Sequence, residues 1–98
     1  MDFIIVLAKV IPKNGCKDSI IELSHDLIEE TLKEEGNIDY QLLASIEDNT
    51  LTFVEKWKSP EALKKHMNSE HFKLFGSESQ EFLEKMDIEV ISADKIDL

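Results

Sequence analysis

The sequence predicts an α+β fold of order β-α-β-β-α-α-β. This is the split β-α-β arrangement of ferredoxin-like folds, a four-stranded antiparallel sheet with helices on one face. Three observations predict it. Apolar residues alternate with period two over residues 3–11, 38–46, 50–57 and 87–92. They recur every three to four residues over 17–35 and 59–84. The short turn Glu47-Asp48-Asn49 makes the second and third strands an antiparallel hairpin.

The first strand, 3–11, is apolar on both faces. Phe3, Ile5 and Leu7 share one face and Ile4, Val6, Ala8 and Val10 the other. Helices cover one side, and a 98-residue chain has little left to cover the second. A second sheet, and hence a homodimer, is therefore expected. Pro12-Lys13-Asn14-Gly15 reads as a turn. The first helix, 17–35, carries Ile20, Leu23, Leu27 and Thr31 on its inner stripe, and Gly36 suits a left-handed helix end.

In the second strand, 38–46, Ile38, Tyr40, Leu42, Ala44 and Ile46 share a face. In the third, Leu51, Phe53, Glu55 and Trp57 do so. Ser59 caps the next helix and Pro60 suits its first position. There Ala62, Leu63, His66 and Met67 form one stripe. Asn68-Ser69 breaks the run, and Ser69 caps a helix over 70–84 marked by Phe72, Phe75, Ser79, Phe82 and Met86. The last strand, 87–92, turns Ile88 and Val90 inward. The chain reads as one domain, 1–98, with a core of about 2–92 and a tail over 93–98.

Composition narrows the function. The net charge is −10 and there is no arginine, so the chain lacks a bidentate fork for phosphate and repels nucleic acid and anionic membranes. No apolar run approaches the ~20 residues of a membrane span. With one cysteine, Cys16, no intrachain disulfide forms; beside Lys17 it is a small residue of a helix's first turn rather than a reactive thiol. No signal peptide precedes the first strand, so a cytoplasmic protein is expected. His25 falls on the polar side of its helix. The glycines Gly15, Gly36 and Gly76 build no phosphate loop.

One constellation carries chemistry. A carboxylate and an indole, Glu55 and Trp57, leave the end of a strand, and two imidazoles, His66 and His71, follow on the next elements. A metal site from these histidines and a carboxylate is not expected, since there is no HExxH and their spacing spans a helix break.

With its order and spacing, the sequence resembles the antibiotic biosynthesis monooxygenase family, also described as quinol monooxygenase-like. The resemblance covers nearly the whole chain. It rests on LKEEGNIDYQLL (32–43), on Glu55-x-Trp57, and on WKSPEAL followed by His66 and His71. It implies a dimeric α+β barrel of two sheets packed back to back, with an apolar pocket between sheet and helices in each protomer. Family members include cofactor-independent monooxygenases acting on phenols and quinols, haem-degrading enzymes, a signal-molecule isomerase and proteins with no known substrate. Trp57, His66 and His71 match the monooxygenase-like members. The haem-degrading branch matches poorly: its iron-ligating histidine falls at Gly76, a pocket tryptophan at His66 and an asparagine at Ala8. The EEGN tract (34–37) also resembles the isomerases.

The expected activity is cofactor-independent oxidation of a small aromatic or quinol-type molecule by O₂. A dry pocket binds the substrate and a base removes its proton; a histidine is the natural base. The expected catalytic residues are His66, Trp57, Glu55 and His71. The expected ligand-binding residues are Phe53, Tyr40, Met67, Phe72 and Phe75. Each has a plain alternative: His66 as a core histidine, His71 as an exposed helix-start residue, Trp57 as a core anchor, Glu55 as a partner of the His66 ring or of a lysine, and Tyr40 as core. Two other functions use the same pocket: a non-catalytic dimeric small-ligand module, and isomerisation by proton shuttling.

Overall fold

A computed structural model describes residues 1–98. The elements are β1 (Phe3–Pro12), α1 (Lys17–Leu32), β2 (Asn37–Ala44), β3 (Leu51–Trp57), α2 (Pro60–Met67), α3 (Glu70–Ser79), a single 3-10 turn (Gln80–Phe82) and β4 (Leu83–Ala93). The strands form one antiparallel sheet of order β2-β3-β1-β4. The expected fold is therefore observed, with β1 in the interior and β2 and β4 at the edges.

The register sorts the side chains. Val6 pairs with Glu55 on one side and Val90 on the other; Ala8 pairs with Phe53 and Ile88; Tyr40 pairs with Glu55. Because alternate residues point to opposite faces, these all belong to the helix-covered face. The core follows from it: Ile4, Val6, Ala8 and Val10 of β1 pack with Leu51, Phe53 and Trp57 of β3 and with Ile20 and Leu27 of α1. The α1 stripe is Ile20, Ser24, Leu27 and Thr31, with Leu23 at its margin. His25 is exposed, as its place on the helix predicts. Leu7, Ile5 and Val54 lie on the opposite face, which no helix covers.

Several boundaries differ from the sequence reading. Helix α1 stops at Leu32, so residues 33–36 form a turn rather than its last helical turn. Gly36 is not left-handed; Gly15, with φ 77°, is the glycine that is. Gly36 is required for a different reason, because a Cβ there would overlap the Ala62 methyl group. The α1–β2 turn thus rests directly on α2, held also by the Lys58 N–H bonded to the Gly36 carbonyl at 2.9 Å. A bulge between Asn37 and Asp39 turns Ile38 outward, and Ile46 lies beyond β2, fully exposed.

The third helix ends at Ser79, not at residue 84. Phe82 and Met86 still reach the core, from the 3-10 turn and from β4. Their spacing continues the helical pattern across a change of element, which is why periodicity alone merged them. Strand β4 is eleven residues long and pairs with all of β1, so pairing rather than composition sets its start. Ile88 and Val90 do face the helix side, yet each stays more than half exposed because β4 is an edge strand beyond the helices' cover.

Candidate functional site

Between sheet and helices lies a cavity of about 260 Å³, thirteen of whose seventeen lining residues are hydrophobic. Its floor is Val6, Ala8, Tyr40, Phe53 and Glu55 from the sheet, and Ile88 and Val90 extend it toward the β4 edge. Its roof is Leu63, His66 and Met67 of α2 and Phe72, Phe75, Gly76 and Ser79 of α3. The broken helix makes this roof. Ser59 accepts the Ala62 N–H at 3.1 Å and starts α2; Ser69 accepts the Phe72 N–H at 3.2 Å and starts α3. The Ser69 hydroxyl also donates to the His66 carbonyl at 2.6 Å, tying the two helices at their junction.

The aromatic wall is continuous. Phe75 meets Phe53 edge-on at 5.7 Å, Tyr40 lies 5.6 Å from Phe53, and His66 lies 5.4 Å from Tyr40 and 5.1 Å from Phe72. These ring separations are the ordinary ones for packed aromatics. Every ligand-binding residue expected from sequence, Phe53, Tyr40, Met67, Phe72 and Phe75, is in the cavity wall.

The catalytic candidates divide. Glu55 and His66 line the cavity; Trp57 and His71 do not. Trp57 is fully buried behind His66, with ring centroids 4.6 Å apart, and donates its indole N–H to Glu55 Oε1 at 2.9 Å. Glu55 therefore bonds the indole, where sequence reasoning offered the His66 ring or a lysine. The partner of His66 is Glu34. Glu34 Oε2 lies 2.6 Å from His66 Nδ1 and 2.8 Å from His71 Nε2. His71 sits on the outer side of that carboxylate, beside a surface depression shared with Glu30, Glu70 and Lys73.

Glu34 is the functional candidate that sequence reasoning missed as a site residue. It stands in the turn after α1, thirty-two positions before His66, where no helical or strand period relates the two. The only signal was its presence in the EEGN tract. Gly36 explains the approach, since its missing side chain lets this turn touch α2 at Ala62, one helical turn before His66.

Burial tunes the polar groups. Burial pushes the Glu55 carboxyl up to about 7, the Trp57 bond opposing and the Glu34 charge adding to the rise. Burial lowers the His66 imidazole below its usual value, although its bond to Glu34 and that carboxylate's charge act the other way; His71 lowers it further. Burial, with the charges of Glu55 and Glu34, raises the Tyr40 phenol far above its usual value, so it stays a neutral hydroxyl. Two buried polar atoms of wall residues, His66 Nε2 and Ser79 Oγ, have no protein partner. Buried polar atoms are normally bonded, so these two are exceptions among the wall residues.

The donor atoms of Glu34, His66 and His71 lie within 4.8 Å of one another, a set able in principle to hold an ion. The spacing fits hydrogen bonds better. Donors bonded at ~2.0–2.2 Å around a tetrahedral ion stand roughly 3.3–3.6 Å apart, whereas the two oxygen–nitrogen separations here are 2.6 and 2.8 Å. Charge-assisted hydrogen bonds have that length.

Known proteins share this fold and part of this sequence. The chain is 31% identical over 81 residues to "Putative monooxygenase YcnE" of Bacillus subtilis (strain 168), a match covering 82% of this chain and 85% of that one. A conserved protein from Methanosarcina mazei Go1, solved by crystallography, superposes with a TM-score of 0.91 at 38% identity over 96% of this chain and 95% of its own. An antibiotic biosynthesis monooxygenase structure from Nitrosomonas europaea, so named with the qualifier "putative", shares the fold at a TM-score of 0.90 and 14% identity, covering 94% of this chain and 90% of its own. The family pattern described as "Antibiotic biosynthesis monooxygenase" matches residues 3–77, and with the Bacillus relative it shows that this chain belongs to that family.

Proposed function

We propose that the protein is a cofactor-independent monooxygenase that oxidises a small aromatic, quinol-type molecule with O₂ inside the apolar cavity. One observation carries the reading. The cavity is almost wholly apolar, and its titratable groups are neighbours: Tyr40 pairs with Glu55 across β2 and β3, and its ring lies 5.4 Å from that of His66. A flat apolar ring with one or two hydroxyls fits such a site.

The chemistry follows from that polarity. O₂ reacts slowly with closed-shell molecules, and readily only with an electron-rich anion. His66 is neutral at pH 7 and takes the substrate's hydroxyl proton at Nε2. The anion passes one electron to O₂, and the radical pair recombines to form a carbon–oxygen bond. His66 returns the proton to the resulting peroxide. The O–O bond then breaks: one oxygen remains on the ring as a carbonyl, and the other leaves as water, carrying the proton that His66 returned and the one hydrogen that the carbon loses. The dry wall keeps bulk water from quenching the anion. Trp57 packs behind His66 and holds Glu55; it acts on the site from outside the cavity.

The same cavity supports a non-catalytic ligand-binding module, because so few of its atoms are polar. Oxygen uptake with a panel of hydroquinones and naphthols separates the two. Turnover above background supports the monooxygenase; binding without uptake supports the module.

The partner we propose is a second copy of this chain. The helix-free face of the sheet presents Ile5, Leu7, Val54 and Ile91, an apolar strip at the sheet centre that a second sheet would cover. An interface of this kind belongs to the large, apolar class of obligate homodimers.

A further inference from the structure

We propose that Glu34 is a positioning residue that fixes His66 in one tautomer, with the proton on Nδ1 and Nε2 left as the open acceptor. This rests on the reading of His66 as the base. It adds the group that makes that base usable.

The count of donors and acceptors around the ring selects the tautomer. Glu34 Oε2 is a carboxylate oxygen, which accepts hydrogen bonds, and it stands 2.6 Å from His66 Nδ1. A neutral imidazole carries one proton. With that proton on Nδ1, donating to Glu34, the Nε2 lone pair is free. With the proton on Nε2, two lone pairs would face each other at 2.6 Å, and Nε2–H would be a buried donor without a partner. Nε2 lacks a protein partner in either tautomer, so the close approach of Glu34 to Nδ1 decides between them. Burial favours the neutral ring over the doubly protonated one, so the choice of tautomer is a real one at neutral pH.

His71 completes the device. Its Nε2 lies 2.8 Å from the same Glu34 oxygen and donates to it from the solvent side. The carboxylate is thereby held between one buried ring and one partly exposed ring, with side-chain exposures of 1% and 22%. His71 pins the oxygen that Glu34 offers to His66, so its place outside the cavity is consistent with a supporting role. Three elements supply the three groups: the α1–β2 turn, α2 and α3.

Nitrogen-15 NMR of the histidine rings tests this without a substrate. At pH 7 the wild-type protein should show His66 protonated on Nδ1 and bare on Nε2. Glu34→Gln, whose amide can donate instead, should move a substantial fraction to the Nε2–H form, and Glu34→Asp should restore the wild-type pattern in part. Where the assay substrate is turned over, Glu34→Gln should lower kcat by at least ~10²-fold with KM little changed, as for loss of a carboxylate behind a histidine base. Wild-type His66 carrying its proton on Nε2 would overturn the proposal, as would an unchanged tautomer in a folded Glu34→Gln variant. Stoichiometric zinc binding that shifts the resonances of both His66 Nδ1 and His71 Nε2 would replace it with a metal site. Absence of oxygen uptake would count against the monooxygenase and leave the tautomer result standing.

Discussion

Trp57 donates its indole N–H to Glu55 at 2.9 Å, so the one carboxyl in the cavity wall is held from behind by the most deeply buried large side chain. That single bond is the only hydrogen bond favouring the charged form, and burial outweighs it. The carboxyl keeps its proton to about pH 7 in the folded protein, against 4.5 for an ordinary glutamate. The folded state therefore binds more protons than the unfolded chain between these values. Stability from this group is fully present below pH 4.5 and is lost as pH rises through 7.

The first prediction follows. Glu55→Gln keeps an acceptor for the indole and removes the titration. Relative to wild type it should gain about 3 kcal/mol of stability between pH 4.5 and pH 8, the magnitude that the pKa difference implies. Urea unfolding of both proteins at a series of pH values checks it; parallel curves would contradict it.

The second prediction concerns His66. The ring is 1% exposed and packs against Trp57, Tyr40 and Phe72, so it lines the cavity and supports the core at once. His66→Ala should cost ~1–3 kcal/mol through a void and the loss of Glu34's buried partner, in addition to any loss of turnover. His66→Asn retains a donor near the Nδ1 position. It should keep more of that stability and still lose ~10²–10⁴-fold in turnover. Thermal midpoint and turnover measured on the same preparation decide it. A low midpoint with normal turnover per folded molecule would make His66 purely structural.

Gly36 is the third. A methyl group there overlaps Ala62, so Gly36→Ala must push the α1–β2 turn off α2. The His66–Glu34 bond should lengthen with it, and stability should fall by ~1–3 kcal/mol, the cost typical of overpacking. The double change Gly36→Ala with Ala62→Gly should recover most of the loss. Failure of that rescue would mean that Gly36 matters for another reason.

The dimer gives the fourth. Ile4 faces the helices and is 4% exposed, whereas Ile5 faces the helix-free side. Ile4→Asp should unfold the chain. Ile5→Asp should instead leave folded protomers that no longer pair. Light scattering should give twice the 11.3 kDa chain mass for wild type and a single chain mass for Ile5→Asp. A wild-type mass of one chain at micromolar concentration would contradict the dimer.

Much of this was legible in the sequence because it is periodic or local. Alternation placed Phe53, Glu55 and Trp57 on one face, and the Ser59-Pro60 and Ser69 caps marked both helix starts where they occur. The helix stripe put His66 and Met67 toward the sheet, and five of five expected ligand-binding residues line the cavity. What was not legible depends on tertiary approach. Glu34 meets His66 only because a turn without a side chain at Gly36 can touch α2. The end of α3 was misplaced because Phe82 and Met86 prolong a helical spacing while β1 recruits the segment from Leu83 as a strand. His71 belongs near the site but faces Glu34 rather than the cavity, a distinction that spacing along a helix does not carry.

The most direct test of the account is oxygen consumption by the purified protein, without added flavin or metal, on a panel of hydroquinones and naphthols. The account predicts uptake above background for at least one of them, matched mole for mole by the oxidised product. It also predicts that His66→Asn abolishes this uptake while remaining folded. No uptake on any member of the panel, or undiminished uptake by folded His66→Asn, would contradict it.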